Sequence, residues 1–123
     1  LFLSSAIDGG LMLRLLPDKL GVEKLWLRRG QNDRSTDALQ SLISTPLTMG
    51  DYVYGIDLNG ELRCLDAKTG DRLWENITVV PRARWATAHI VQNSDKVWIF
   101  HERGSEGKGF FRFFRFFRNS FTV

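Results

Sequence analysis

The sequence predicts an all-β fold, an incomplete β-propeller of about two and a half four-stranded antiparallel blades. Two observations lead there. Through the middle of the chain, short runs rich in β-branched and aromatic residues alternate with tight turn signals. The same succession of residue types then recurs at offsets of about 50 and 44 residues, the spacing of propeller blades.

Taken in order, residues 1–27 read as the end of one blade. Laid over residues 53–65, residues 3–15 put Gly10 on Gly60, Leu13 on Arg63 and Leu15 on Leu65. Trp26 falls two residues past the counterpart of Trp74, an insertion that the turn PDKLG at 17–21 can absorb. Residues 28–40 are polar, with Asn32, Asp33, Ser35, Thr36 and Asp37, and read as an inter-blade loop with a short helical turn over 36–39.

Residues 41–80 form the complete blade. Its first strand is expected over 42–48, with Pro46 at a strand start or unpaired edge position. A second strand, DYVYGI, leads into the turn tetrapeptide DLNG, whose Asn59 and Gly60 tolerate positive φ. ELRCL then alternates, with Leu62 and Cys64 on one face and Glu61, Arg63 and Leu65 on the other. In the next turn, DAKTG, the Asp66 carboxylate can accept N–H groups two and three residues on, and Gly70 supplies the left-handed position. The strand DRLWE leaves that turn. Residues 81–104 start a third blade, its first strand near 84–91. There Asp95, Val97, Trp98 and Gly104 repeat Asp51, Val53, Tyr54 and Gly60.

Composition narrows the function. A chain of 123 residues, 43% hydrophobic and 25% charged, can bury one ordinary core. Its net charge of +3 resides wholly in residues 105–123, so the body has no basic excess for a phosphate backbone and no nucleic-acid partner is expected. A single cysteine excludes an intrachain disulfide and any multi-cysteine metal centre. No apolar run is long enough for a helical membrane span, and residues 1–7 lack a basic leader and cleavage site. The start without methionine, inside a strand, suggests a fragment.

The segment CLDAKTGDRLW resembles the tryptophan-docking motif of PQQ-type, quinoprotein-like β-propeller repeats, Ala-x-Asp-x-x-Thr-Gly-x-x-x-Trp. It departs only in placing Cys64 at the alanine. A degenerate copy ends at Trp26, without the Asp and Thr-Gly elements. The stretch up to Gly104 looks like exported PQQ-like repeat proteins of bacteria such as planctomycetes. The resemblance implies a blade-docking role for Cys64, Asp66, Thr69, Gly70 and Trp74, with the Trp74 indole packed between neighbouring blades. It also implies an exported parent, periplasmic or in the cell envelope. A broad indole at a strand end suits that role, since a thin sheet needs neighbours on both faces.

Catalytic groups are another matter. The resemblance implies, for true quinoprotein dehydrogenases, calcium-binding acids, an active-site aspartate and often adjacent cysteines. None can be assigned here, so no cofactor is expected. His89 and His101, twelve residues apart without a nearby carboxylate cluster, make a poor metal site. Arg84, Trp85, His89 and Asn93 are the candidate contacts for a small anion, a sugar or a partner at a channel mouth, although ordinary strand and loop roles are the favoured reading. NIT at 76–78 matches a glycosylation tripeptide of small weight, and GSEGKG at 104–109 lacks the spacing of a phosphate loop.

The tail, residues 105–123, holds seven of the nine phenylalanines, with arginine at every third position from Arg112 to Arg118. Three readings compete: a helix with an arginine stripe for an anionic membrane, a nucleic-acid arm, and non-native or disordered sequence from a frame change. The last is favoured, because similarity between the copies stops at Gly104. The expected function is a non-enzymatic repeat scaffold whose partners are neighbouring blades, another protein or a small ligand, with a membrane reached only through the tail. A fragment of a quinoprotein oxidoreductase is the alternative, and a membrane-active tail the third.

Overall fold

A computed structural model of the chain describes residues 1–32, 36–94 and 96–101, together with the backbone of 110–116 and 121–122. Among them there is no helix. All strands lie in three antiparallel sheets in which each strand pairs with its neighbours in sequence. The first sheet contains β1 (Phe2–Ser5), β2 (Gly9–Leu15) and β3 (Val22–Arg28). The second contains β4 (Leu47–Met49), β5 (Tyr52–Ile56), β6 (Leu62–Asp66) and β7 (Arg72–Asn76). The third contains β8 (Ala88–Asn93), β9 (Lys96–His101), β10 (Phe110–Phe116) and β11 (Phe121–Thr122).

The second sheet is the meander that turn chemistry dictates. Gly50, Gly60 and Gly70 all have positive φ, one at each of its hairpins. Its two faces are both covered, as a sheet between two others must be. On one side Val53 and Leu65 join Met12, Trp26 and Leu39, with Phe2 packed against them. On the other, Tyr54, Ile56, Leu62 and Cys64 join Ala88, Val97 and Ile99, with Trp74 and Ile90 at the border. At about 25 cal/mol per Å² of apolar surface, these two layers are the main source of cohesion between the sheets.

Several boundaries differ from expectation. Gly10 is not the counterpart of Gly60: it lies inside β2 opposite Ser4, and the turn is at residues 6–8, closed by Gly9 at φ 80°. This hairpin link is shorter than the one at 57–61, and a bulge at Met12/Leu13 shifts the register further. The true counterparts are set by pairing, Phe2↔Met12↔Trp26 in the first sheet and Tyr54↔Cys64↔Trp74 in the second.

No helical turn forms over 36–39. The Thr36 hydroxyl accepts the Ala38 N–H, and the chain runs on so as to bury Ala38, Leu39, Gln40 and Ser41. The strand expected over 42–48 shrinks to β4, because serines engage the backbone upstream of it. Ser41 Oγ donates to the Ile56 carbonyl, and Ser44 Oγ accepts the Ala88 N–H. β8 likewise begins at Ala88 rather than near 84, since residues 81–86 fold over the Asn59–Gly60 turn through Ala83 N–H to Asn59 O and Ala86 N–H to Leu58 O.

The tail also differs. The backbone of Phe110–Phe116 pairs with β9, from Phe110↔His101 to Phe114↔Val97, and β11 pairs with β10. A helix does not describe these segments: the open edge of β9 offers unpaired N–H and C=O groups that a strand satisfies. Asp33, Ser35, Asp95, Gly104 and the rest of 102–109 and 117–120 lie outside the described residues.

Candidate functional site

The best-built constellation is a dock between the first and second sheets. Asp66 shapes the turn: its Oδ1 accepts N–H groups from Lys68 at 2.7 Å and Thr69 at 3.1 Å, while its carbonyl accepts the Gly70 N–H at 2.8 Å. Thr69 Oγ1 donates to Asp71 Oδ2 at 2.7 Å and accepts the Asp71 N–H. Gly70 holds φ 76°, and a Cβ there would stand 2.7 Å from Trp26 Cε3 and 2.9 Å from Cδ2. The bare backbone is therefore a seat for an indole.

Trp26 occupies that seat. Its side chain is 9% exposed and its Nε1–H donates to the Ala67 carbonyl at 2.9 Å. Two residues on, Arg28 Nε donates to the Thr69 carbonyl at 3.2 Å and its guanidinium pairs with the Asp71 carboxylate. So the turn built by Asp66, Thr69 and Gly70 receives the indole of the preceding sheet. Trp74 lies one sheet further along, half-buried beside the core shared by the second and third sheets, its ring 6.1 Å from Tyr54. The Phe2–Trp26 pair has nearly the same geometry, at 5.8 Å. Trp26 was legible only as a degenerate copy, because sequence spacing hides the bulge that brings it into line.

Cys64 sits opposite both Tyr54 and Trp74 and is fully buried. Burial pushes its thiol up to about 12, and the Asp66 carboxylate adds to this, while the Tyr54 hydroxyl bonded to it acts in the opposite direction. Burial also drives the Tyr54 hydroxyl upward. A group with a folded pKa raised in this way supports the fold fully below its unfolded value, and that support is lost as pH rises through the folded value. Stability should therefore fall as pH climbs from 9, the ordinary thiol value, toward 12. At pH 8 a thiol reagent should leave Cys64 unmodified until denaturant is added. Rapid stoichiometric labelling of the native chain would contradict its burial.

A second constellation escaped sequence reasoning. Arg63 and Asp57, 7% and 1% exposed in their side chains, form an ion pair at 3.0 Å. Arg63 also reaches Glu75 at 2.7 Å and the Ala38 carbonyl at 2.5 Å, and Asp57 Oδ1 accepts the Gln40 N–H at 2.5 Å. The alternation Glu-Leu-Arg-Cys-Leu places Arg63 on one face with Glu61 and Leu65 and carries no signal that it is covered. Arg63 is enclosed because the connecting segment 38–41 closes over it. Asp57 is pushed above the ordinary carboxylate value by burial, against the lowering effect of Arg63 and of the Gln40 N–H.

The four residues expected at a channel mouth are not brought together. Arg84 and Trp85 lie in the loop before β8, the guanidinium 4.9 Å from the indole centroid, with Trp85 in the left-handed region at φ 63°. His89 is an exposed residue of β8 opposite Phe100, and Asn93 ends that strand opposite Lys96. At about 3.3 Å per residue, Asn93 lies more than 10 Å beyond His89. Near Arg84 a shallow recess of about 350 Å³ is lined by Asn59, Arg82, Ala83 and Arg84. Among the described residues no group of three or more His, Cys, Asp or Glu side chains is placed to hold a metal ion, and no helix is long and apolar enough to cross a membrane.

No family model, no curated protein and no solved structure matches the chain.

Proposed function

We propose that the chain is a stretch of PQQ-like β-propeller repeats, from an exported parent, serving as a non-enzymatic scaffold for protein or ligand binding. The observation that carries this reading is the seating of Trp26 on the Asp66–Gly70 turn. An indole from one antiparallel meander, bonded to the turn of the next, is a device for stacking repeats. The matching Tyr54–Cys64–Trp74 row one sheet later supports it. Each meander is too thin to cover its own faces, so stability comes from neighbours and the exposed loops are left free to bind.

The competing reading, a piece of a quinoprotein oxidoreductase whose catalytic blades are missing, is separated by titration of the intact parent with pyrroloquinoline quinone and calcium. On the scaffold reading the absorption spectrum is the sum of the components at every ratio, and indole fluorescence shows no saturable change. A saturable shift of the quinone band would favour the oxidoreductase and overturn the scaffold.

A further inference from the structure

Within the chain, unlike faces of neighbouring sheets meet. The first sheet presents Phe2, Met12 and Trp26 to the Val53 and Leu65 face of the second. The second presents Tyr54, Cys64 and Trp74 to Ala88, Val97 and Ile99 of the third. Each contact thus joins an aromatic, presenting face to an aliphatic, receiving one.

The other faces of the first and third sheets continue the series. In β9, Val97, Ile99 and His101 are buried, so Trp98 and Phe100 point to the opposite side, where Val91 pairs with Trp98 and is 57% exposed. Trp98 follows Val97 as Tyr54 follows Val53, so this is the presenting face of the third sheet. At the other end, the first sheet turns a leucine row away from the second: Leu3↔Leu11↔Leu27 in register, with Leu13 beside it opposite Lys24. Leu3 is 46% and Leu27 37% exposed. It is an aliphatic receiving face with no charge in its central row, and an apolar patch of this kind marks an interaction surface.

We propose that a second copy of this chain docks its third sheet, through the Val91–Trp98 face, onto the leucine face of the first sheet. The inference rests on the stacked-repeat reading above and extends it to assembly. Because the two surfaces differ, the contact is heterologous, and copies add head to tail until a ring closes or a filament grows.

Two face-blocked variants test this by sedimentation velocity. Leu3→Lys with Leu27→Lys blocks the receiving face, and Val91→Lys blocks the presenting face. The unaltered chain should form oligomers, each variant alone should be monomeric, and an equal mixture should give a one-to-one dimer and nothing larger. Near-ultraviolet circular dichroism checks that each variant is folded; if the lysines unfold the chain, Leu27→Gln and Val91→Thr replace them with the same expectations. An unaltered chain that stays monomeric, a mixture that stays monomeric, or a singly blocked variant that still self-associates would each overturn the proposal. Failure of the stacked-repeat reading would appear elsewhere, as a Trp26→Ala chain of unchanged stability.

Discussion

Trp26→Ala should destabilise the chain by about 3–5 kcal/mol, read as a fall in the urea midpoint at unchanged slope. The indole is the largest group between the first two sheets and is 9% exposed. Removing it opens a cavity against Gly70, whose backbone cannot fill it, and strands the Ala67 carbonyl that accepts Nε1–H. Trp26→Phe keeps a ring in the seat and loses the hydrogen bond, so about 1–2 kcal/mol is expected there. Gly70→Ala attacks the same contact from the other side: it adds left-handed strain and forces the indole out by the overlap described above. The two changes should therefore be far from additive, since each removes the same packing. The resemblance points to Trp74 as the indole packed between blades; with Trp74 half-buried and Trp26 nearly enclosed, Trp26→Ala should be the larger loss. Equal stability of Trp26→Ala and the unaltered chain would remove the physical basis for stacking.

Arg63→Met should cost a similar amount, about 3–5 kcal/mol near neutral pH. The cost comes less from the lost ion pair than from what remains: Asp57, 1% exposed, is left with the Gln40 N–H as its partner among the described residues and must either hold a charge there or take up a proton. Arg63→Lys should rescue poorly, because one ammonium cannot reach Asp57, Glu75 and the Ala38 carbonyl with the spread of a guanidinium. Adding Asp57→Asn to Arg63→Met should recover much of the loss. The pH dependence has a definite sign. Asp57 titrates above its ordinary 3.8 in the folded chain, so the folded state binds the proton more tightly than the unfolded one. Its contribution is fully present below that ordinary value and is lost as pH rises through the folded value. The deficit of Arg63→Met should accordingly be smallest near pH 4 and grow toward neutrality. A deficit independent of pH would mean that Asp57 is not the group left exposed to the penalty.

These two sites mark the boundary of what the sequence disclosed. The hairpins of the second sheet were readable because their signals are local: Asn59 and Gly60, then Asp66 and Gly70, impose turn geometry whatever surrounds them. The role of Asp66 was legible for the same reason, as its two N–H donors come from the next three residues. The partner of that turn was not, since a bulge at Met12/Leu13 and a shortened hairpin move Trp26 out of simple register with Trp74. Burial of Arg63 was also hidden, because nothing within β6 tells whether a segment 25 residues upstream will cover it.

The sequence by itself determined that the chain is all-β, where its central turns lie, and that its one cysteine shares a strand face with Leu62, because turn propensity and two-residue alternation act over a few residues. The tertiary structure alone decided which indole fills which seat, that both faces of the second sheet are covered, and that a charged pair lies inside. Those outcomes depend on contacts between segments far apart in the chain, where the energy of burial is settled by what arrives to cover a surface and not by the residues that compose it.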